Sequence, residues 1–304
     1  MNHFLKKISL FLLPIFFLMI GMEVLLQNIP NDYKLKRTYL DTNAQDIEIL
    51  ILGSSHSFYG LNPEYFNANT FNASHISQSF SYDYAILEKY ERQFSNLKTI
   101  ILPVSYFSFF ETLENGVESW RNKNYAIYYD INLVNSIWEY SEIFKNRLDI
   151  NIKRLISYYL KKESSITSSS LGWGINYDKN PDINLDVSGK NTSKKHTINL
   201  EKTETKEIIQ LNKKLLHYIN DWCLTNDIEL LLFTPPAYKS YRTHLDKKQL
   251  ELTYQFIDEI CHENCNYINL IDHIEFKVED FYDSDHLSHK GAKKLSRLIN
   301  NDLK

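Results

Sequence analysis

The stretch IEILILGSS, residues 47–55, decides the fold of this chain. Its first six residues are mostly apolar, the pattern of a short strand buried on both faces of a parallel sheet. Gly53 then permits a tight turn. A serine after such a turn is exposed at the sheet edge, near backbone N–H groups that can receive an oxyanion. Ser55 is therefore a candidate nucleophile, although serines at strand ends also serve simply as helix caps.

From residue 46 onward, strand patterns alternate with helix patterns along the chain. We expect strands at 47–52, 70–73, 98–102, 229–233 and 267–270, and helices at 82–94, 203–224, 250–261 and 288–303. Such alternation implies parallel strand pairing, with helices on both faces of the sheet. The expected class is α/β: a three-layer α/β/α domain around a mostly parallel sheet.

A second candidate motif, DSDHLSHKG, occupies residues 283–291, just before the last expected helix. An Asp three residues before a His can hold one imidazole nitrogen and leave the other to take a proton from a serine hydroxyl. The simpler alternative is that Asp283 caps a turn and that His286 lies on the surface. Both motifs occur in one α/β chain, at its first strand end and its last helix start, which favours Ser55, His286 and Asp283 as a catalytic set.

In these motifs the sequence resembles the SGNH (GDSL-like) hydrolase superfamily. The resemblance assigns Ser55 as the nucleophile after Gly53, and Asp283, His286 and Gly291 to the closing block. It implies an SGNH-like fold and no cofactor or metal. The Gly-Ser-Ser form, the apolar amino terminus and a large insertion are similar to membrane-anchored members that modify cell-envelope polymers, such as the D-alanyl-lipoteichoic acid protein and polysaccharide O-acetylation enzymes.

The middle blocks depart from the family pattern. The oxyanion glycine of the family corresponds best to Ser77, whose backbone N–H still allows donation. The family's Gly-x-Asn block should follow residue 102, where the sequence has Pro103, Val104 and Ser105 instead. Ser105 is the candidate replacement for the asparagine donor, and the alternative is that no side-chain donor exists. Losing one such donor typically costs about 10²–10³ in rate.

The amino terminus predicts a membrane anchor. An uncharged apolar run, residues 8–22, follows Lys6 and Lys7, and a second apolar patch follows Glu23. Together they cover residues 8–27, which is the ~20 residues that a spanning helix needs. No small-residue cleavage site follows the run, which favours an uncleaved anchor over a cleaved signal peptide. Basic residues on both sides leave the positive-inside count undecided. A short amino-terminal tail before a lone anchor usually stays inside.

These observations predict a single-pass protein of the cytoplasmic membrane whose main domain is extracytoplasmic. The expected organisation is a membrane anchor at 1–28, a juxtamembrane linker at 29–45 and an SGNH-like domain at 46–304, which is interrupted by an insertion at 111–200.

The insertion leaves the carboxyl end of a parallel strand, where α/β proteins place ligand crevices. Its first part is aromatic and helical in pattern, and its second part, residues 163–197, predicts a mobile, solvated loop. The aromatic residues either pack a small core of their own or cap a substrate groove, with Trp173 and Tyr177 as sugar-stacking candidates. Tyr238, in a proline-rich segment after the fourth strand, borders the same crevice or belongs to a rigid loop.

Composition argues against nucleic-acid-binding proteins, disulfide-scaffolded proteins and zinc proteins. The chain has 304 residues, 43% of them apolar, and a formal charge of −4, so we expect one large globular domain and no nucleic-acid partner. Three cysteines are too few for a disulfide scaffold. Cys261, His262 and Cys265 lack a fourth zinc ligand at ordinary spacing. Cys261 and Cys265 therefore form a thiol pair, or a disulfide if the domain is extracytoplasmic.

Two functions follow from these expectations. The first is a serine esterase or O-acyltransferase that acts on acyl esters of cell-surface polysaccharide or of a lipid-linked sugar. The second is a non-catalytic SGNH-like accessory protein that binds polysaccharide or a membrane acyltransferase. The intact Ser55, Asp283 and His286 set favours the first, and the altered middle blocks favour the second.

Overall fold

The computed structural model describes residues 2–178 and 183–303, without the side chains of residues 2 and 3. It divides into two compact units. One consists of Met1–Arg37 and Val117–Thr167, and the other of Thr38–Gly116 and Ser168–Lys304.

The second unit contains a five-stranded sheet in which every paired strand is parallel. Its strands are β1 (Ile49–Ile51), β2 (Thr70–Asn72), β3 (Thr99–Pro103), β4 (Glu229–Thr234) and β5 (Cys265–Asn269). Their spatial order is β2-β1-β3-β4-β5. β1 pairs with both β2 and β3, so that Ile51 lies opposite Asn72 on one side and Ile101 on the other. The carboxyl ends of these three strands therefore meet at one edge of the sheet.

The helices, in chain order, are α1 (Asn2–Gln27), α2 (Asp32–Asn43), α3 (Ser55–Gly60), α4 (Phe80–Tyr90), α5 (Asn122–Asn124), α6 (Glu142–Lys145), α7 (Leu148–Leu155), α8 (Leu185–His196), α9 (Thr203–Thr225), α10 (Lys239–Arg242), α11 (Lys247–Ile260) and α12 (His289–Asp302). Two π-helical segments, Tyr125–Tyr129 and Ile156–Leu160, continue α5 and α7.

Side chains that alternate along the strands fill cores on the two faces of the sheet. On one face, Ile51, Ile101 and Phe233 pack with Leu295 and Ile299 of α12 in one buried cluster. The intervening strand residues are also buried, and α9 packs against β4, α4 and α11. Burial on both faces explains why the strands are near-continuous apolar runs.

The expected α/β class is confirmed, and each predicted strand and helix of the sheet domain is present with its ends shifted by a few residues. The largest shift is in α4, which we expected at 82–94 and which begins at Phe80 and ends at Tyr90. β5 begins at Cys265, before the apolar residues that predicted it.

The insertion differs from the expectation in its second part. Residues 117–167 belong to the first unit, whereas the part from Ser168 onward belongs to the sheet unit. The segment predicted to be a mobile loop contains the helix α8, in which Leu185, Gly189 and Ser193 are buried. Asn184 caps this helix by accepting from the N–H groups of its first turn. Packing of α8 against α10 thus overrides a composition rich in Ser, Asn and Lys.

The amino-terminal helix α1 contains one span, Phe4–Gln27, that is long and apolar enough to cross a membrane or to serve as a signal sequence. Its mean hydropathy is 2.4, and its most apolar window is not buried by the rest of the chain. Pro14 lies inside the helix without ending it.

Two of the three cysteines form a disulfide and the third is a free thiol. Cys261 and Cys265 are joined by a disulfide with a Cα–Cα distance of 5.1 Å. Cys223 is a buried free thiol on α9, and burial raises its pKa to about 12. The structure therefore contains the disulfide alternative of the Cys261 and Cys265 pair, rather than a pair of free thiols.

Gly53 generates the first testable prediction. Its φ is +103°, and a Cβ atom built on it would lie 2.3 Å from Cδ of Pro103. We expect Gly53→Ala to lower the free energy of unfolding by about 2–4 kcal/mol, because it adds both backbone strain and overpacking. Thermal unfolding of the purified chain measures this loss.

Gly60→Ala is the matched control for Gly53→Ala. Gly60 lies five residues into α3, and the nearest atom to a Cβ there is Cδ2 of Leu295 at 3.4 Å. We expect little loss of stability. Equal losses for the two variants would contradict the special role assigned to Gly53.

Candidate active site

Ser55 is the first residue of α3, immediately after the turn at Gly53 and Ser54. Ser54 is extended and acts as the N-cap residue, and its carbonyl accepts from the N–H groups of Ser57 and Phe58. The buried Asn72 at the end of β2 donates from Nδ2 to the carbonyls of Ser57 and Leu61. The neighbouring strand therefore holds the middle and the carboxyl-terminal end of the short helix that carries Ser55.

The three residues of the predicted catalytic set lie in one hydrogen-bonded line. Oγ of Ser55 is 2.8 Å from Nε2 of His286. The other ring nitrogen, Nδ1, lies 3.0 Å and 3.1 Å from the two carboxylate oxygens of Asp283. Asp283 also accepts from the backbone N–H of His286 at 2.8 Å. The short Asp-x-x-His spacing thus closes a turn that orients the imidazole toward the serine.

A second carboxylate acts on the same histidine. Oδ1 of the buried Asp285 is 3.7 Å from Nδ1 of His286. Burial alone would lower the pKa of His286, but the negative charges of Asp285 and Asp283 outweigh it and raise that pKa to about 9. In the same way, His286 and His56 hold the pKa of Asp285 below its ordinary value despite burial.

Asp285 also faces a second Ser–His pair, which the sequence reasoning missed. Its Oδ2 is 3.6 Å from Nε2 of His56, the residue after Ser55. Nδ1 of His56 is 2.7 Å from Oγ of Ser105. His56 and Ser105 are both buried, and the imidazole rings of His56 and His286 are 5.0 Å apart. Asp285 is thus shared between two histidines, each bonded to a serine.

The Ser105 contact bears on the expected oxyanion donor. We expected Ser105 to replace the family's asparagine, but its hydroxyl is bonded to His56 in the interior of the site. Its backbone N–H donates to Oγ of Ser108 at 2.9 Å. In this arrangement the Ser105 hydroxyl contacts His56.

The turn that contains Ser77 lies against the nucleophile turn. The N–H of His75 donates to the carbonyl of Gly53 at 3.2 Å. Buried Asp83 accepts from the N–H of Gly53 at 2.7 Å and from Nε2 of Gln78 at 2.6 Å, which joins the two turns. Ser77 has a φ of +61°, a left-handed conformation that glycine adopts without strain. This conformation is the physical counterpart of the glycine that the resemblance places here.

Asp83 is a further residue that the sequence did not reveal. Burial raises its pKa to about 7, although its hydrogen bonds from Gln78 and Gly53 act in the opposite direction. No motif identifies it, because its partner, Gly53, lies thirty residues earlier in the chain.

The two sugar-stacking candidates of the insertion pack against the protein itself. Nε1 of Trp173 donates to the carbonyl of Tyr59 at 2.9 Å. The ring of Tyr177 lies between the rings of Tyr59 and Tyr282, at centroid distances of 3.6 Å and 3.7 Å and nearly parallel to both. Both faces of Tyr177 are therefore covered, which corrects the expectation that this ring is open to stack on a sugar. The edge of the Tyr177 ring faces His286 at a centroid distance of 5.7 Å.

Tyr238 and α8 complete the surroundings. The N–H of Tyr238 donates to the carbonyl of Ser284, and its ring packs edge-on against Phe281. His196, at the end of α8, is 2.9 Å from the hydroxyl of Tyr241, and burial lowers its pKa to about 4. His196 therefore stays neutral near the site at neutral pH.

One group in the described part of the chain has the composition of a metal site. Ring nitrogens of His56 and His286 and a carboxylate oxygen of Asp285 lie within 4.8 Å of one another. Hydrogen bonds with Ser55, Ser105 and Asp283 engage three of the four ring nitrogens of these histidines. The contacts within this group are those of a proton-sharing network.

Comparisons with known proteins give little further information. No family model matches the sequence, and neither does any curated protein. A solved structure from Streptococcus pneumonia, described as that of a candidate platelet activating factor, is similar over 98% of this chain and 99% of that chain. The sequence identity is 11% and the TM-score is 0.45. A similarity this distant says nothing about the chemistry of this chain.

The shared carboxylate generates the second prediction. We expect Asp285→Asn to lower the pKa of His286 from about 9 toward the ordinary histidine value of about 6.5, because one of two raising charges is removed. NMR titration of ¹³C-labelled histidine Cε1, with the signal assigned by loss in His286→Asn, measures the pKa. Asp227→Asn, a change at an exposed carboxylate in a remote turn, is the control. An unchanged His286 pKa in Asp285→Asn would contradict the assigned electrostatics.

Proposed function

We propose that this chain is a membrane-anchored serine esterase or O-acyltransferase that acts on acyl esters of a cell-surface glycan or lipid-linked sugar. The observation that carries the chemistry is the 2.8 Å contact between Ser55 Oγ and His286 Nε2, with Nδ1 of the same ring held by Asp283. Bonding of both ring nitrogens in this order is the requirement for activating a serine hydroxyl.

In the proposed first half-reaction, Oγ of Ser55 forms a bond to the acyl carbonyl carbon while its proton passes to Nε2 of His286. The tetrahedral intermediate collapses, the ester C–O bond breaks, and the proton goes from Nε2 to the leaving alcohol. An acyl-enzyme on Ser55 results. In the second half-reaction, water or a sugar hydroxyl gives its proton to Nε2 of His286 and attacks the acyl carbonyl carbon. The bond from that carbon to Oγ of Ser55 then breaks, and Nε2 returns the proton to Oγ, which gives hydrolysis or transfer and restores the free serine.

The raised pKa of His286 has a direct consequence for this mechanism. With a pKa of about 9, the resting imidazole is mostly protonated at neutral pH and cannot accept the serine proton. The competent fraction grows as the pH rises toward 9. The Asp283 and Asp285 carboxylates in turn stabilise the imidazolium that forms during attack.

Backbone groups are the proposed oxyanion donors. The Ser77 turn is held against Gly53 by the His75 and Asp83 contacts, and Ser105 is engaged by His56. A site that relies on backbone N–H groups without an asparagine side chain loses about 10²–10³ in rate relative to a fully equipped one. We therefore propose a slow, specialised enzyme.

The proposed location rests on two features. The apolar span Phe4–Gln27 supports anchoring in the cytoplasmic membrane. The disulfide between Cys261 and Cys265 suits an oxidising, extracytoplasmic compartment for the sheet unit. An anchored domain on that side has access to surface polysaccharide and lipid-linked glycan, whose acyl esters are the substrates that we propose.

A second candidate function is a non-catalytic accessory that binds polysaccharide or a membrane acyltransferase. The engaged hydroxyl of Ser105 favours it, because an enzyme of this kind gains from a free side-chain donor. Covalent labelling of the serine separates the two functions.

We expect a fluorophosphonate probe to label the full chain at Ser55, faster at pH 9 than at pH 7. Ser55→Ala should abolish labelling and lower hydrolysis of a small aryl ester by at least about 10³-fold. Ser54→Ala is the matched control, since the Ser54 side chain makes no capping hydrogen bond. A folded wild-type chain that the probe does not label at either pH would support the accessory function instead.

Topology provides a separate prediction. We expect alkaline phosphatase fused after residue 304 to be active, because this reporter folds only outside the cytoplasm, and a cytoplasmic reporter at the same position to be inactive. The opposite pair of results would place the sheet unit in the cytoplasm and exclude surface glycan as the substrate.

A further inference from the structure

In the helix α7 and its π-helical continuation, apolar side chains are exposed while the polar Asn151 is buried, the reverse of the usual arrangement in a surface helix. Leu148, Ile152 and Ile156, spaced four residues apart on one face, have exposed fractions of 59%, 43% and 39%. Residues at this spacing normally pack into a core. Here they form an apolar stripe that the described part of the chain leaves open.

Two polar side chains of α7, Asn151 and Arg154, instead face the interior of this unit. Asn151 is fully buried, and its Nδ2 donates to the carbonyl of Glu142. Arg154 donates to both carboxylate oxygens of Glu142 at 2.7 Å and 3.1 Å, and Lys123 donates to the same carboxylate at 2.6 Å. These two cations hold the pKa of Glu142 at about 2, although burial alone would raise it. The interior of this unit is thus charged where its surface is apolar.

The apolar stripe belongs to a larger surface. Trp138 and Phe144 are both more than half exposed and touch each other edge to face at 5.1 Å. We call the whole set the interfacial face; it consists of Ile137, Trp138, Phe144, Leu148, Ile152 and Ile156. Exposed apolar residues so concentrated in twenty positions mark an interaction site.

This face begins where the apolar helix α1 ends. The carboxylate of Glu23 accepts from Oγ of Ser141 at 2.8 Å and from the N–H groups of Glu142 and Ile143 at 2.7 Å and 3.1 Å. The hydroxyl of Tyr159 donates to the carbonyl of Leu25 at 2.9 Å. The first turns of α6 and the end of α7 are therefore joined to the last turns of the apolar span.

We propose that the interfacial face lies in the lipid headgroup and upper acyl region of the bilayer, beside the point where α1 leaves it. This inference rests on the proposed membrane anchoring. Lipid is the occupant that the observations favour, because the face is continuous with the span and carries exposed Trp, Phe and aliphatic residues, the composition of an interfacial helix. Asp149 and Lys153 each follow a residue of the apolar stripe and form a charged stripe beside it on α7. In the proposed position this charged stripe stays in contact with headgroups and water.

The test uses the full chain in vesicles of phosphatidylcholine whose acyl chains are brominated at shallow positions. We expect the emission of Trp138, obtained as the difference between the wild type and Trp138→Phe, to be quenched relative to unbrominated vesicles. Ile152→Trp should also be quenched, and more strongly than its matched control Lys153→Trp on the adjacent charged stripe. Phe16→Trp reports on the span itself and should be quenched by deeply brominated lipid.

Quenching of Phe16→Trp without quenching of Trp138 or Ile152→Trp would overturn the proposal and leave the anchor in place, with a protein then covering the face. Absence of quenching at Phe16→Trp would overturn both the anchor and the proposal. Equal quenching of Ile152→Trp and Lys153→Trp would show that α7 does not present one face to lipid, and would also overturn it.

Discussion

The site depends on the close approach of two strand ends, which glycine alone permits. Gly53, after β1, lies against Pro103 at the end of β3, and its N–H donates to the buried carboxylate of Asp83. A side chain at this position would separate β1 from β3 and displace the first turn of α3. The position of Ser55 relative to the sheet is therefore fixed by backbone packing and not by contacts of the serine itself.

Electrostatic coupling is the second constraint on the site. Asp283 bonds His286 directly, while Asp285 faces both His286 and His56 from the interior. Two carboxylates on one imidazole stabilise its protonated form more than a catalytic base at neutral pH requires. The arrangement favours the charged imidazole over the neutral one. The buried charge of Asp285 faces His56 as well as His286, so His286 is not its sole source of compensation.

Much of the sheet could be predicted because buried parallel strands are continuous apolar runs that end at Gly or Pro. The triad could be predicted because Asp283 and His286 form a local motif and Ser55 follows a strand end. The Ser105–His56–Asp285 contacts could not, since the partners lie 49 and 229 residues apart in sequence and no short motif joins them. The helix α8 was missed because its stability comes from packing against α10, which a Ser-, Asn- and Lys-rich segment does not reveal. The stacking of Tyr59 and Tyr282 on the two faces of Tyr177 could not be predicted either, because it depends on tertiary structure.

The distance in sequence between the reacting groups also affects when the site can exist. Ser55 precedes His286 by 231 residues, and the contact between them closes only when the segment before α12 has docked at the sheet edge. Contacts of such long range form late, because closing a long loop costs chain entropy before the contact itself contributes any stability. In a growing chain Ser55 therefore lacks its contact with His286 until the last part of the fold has formed.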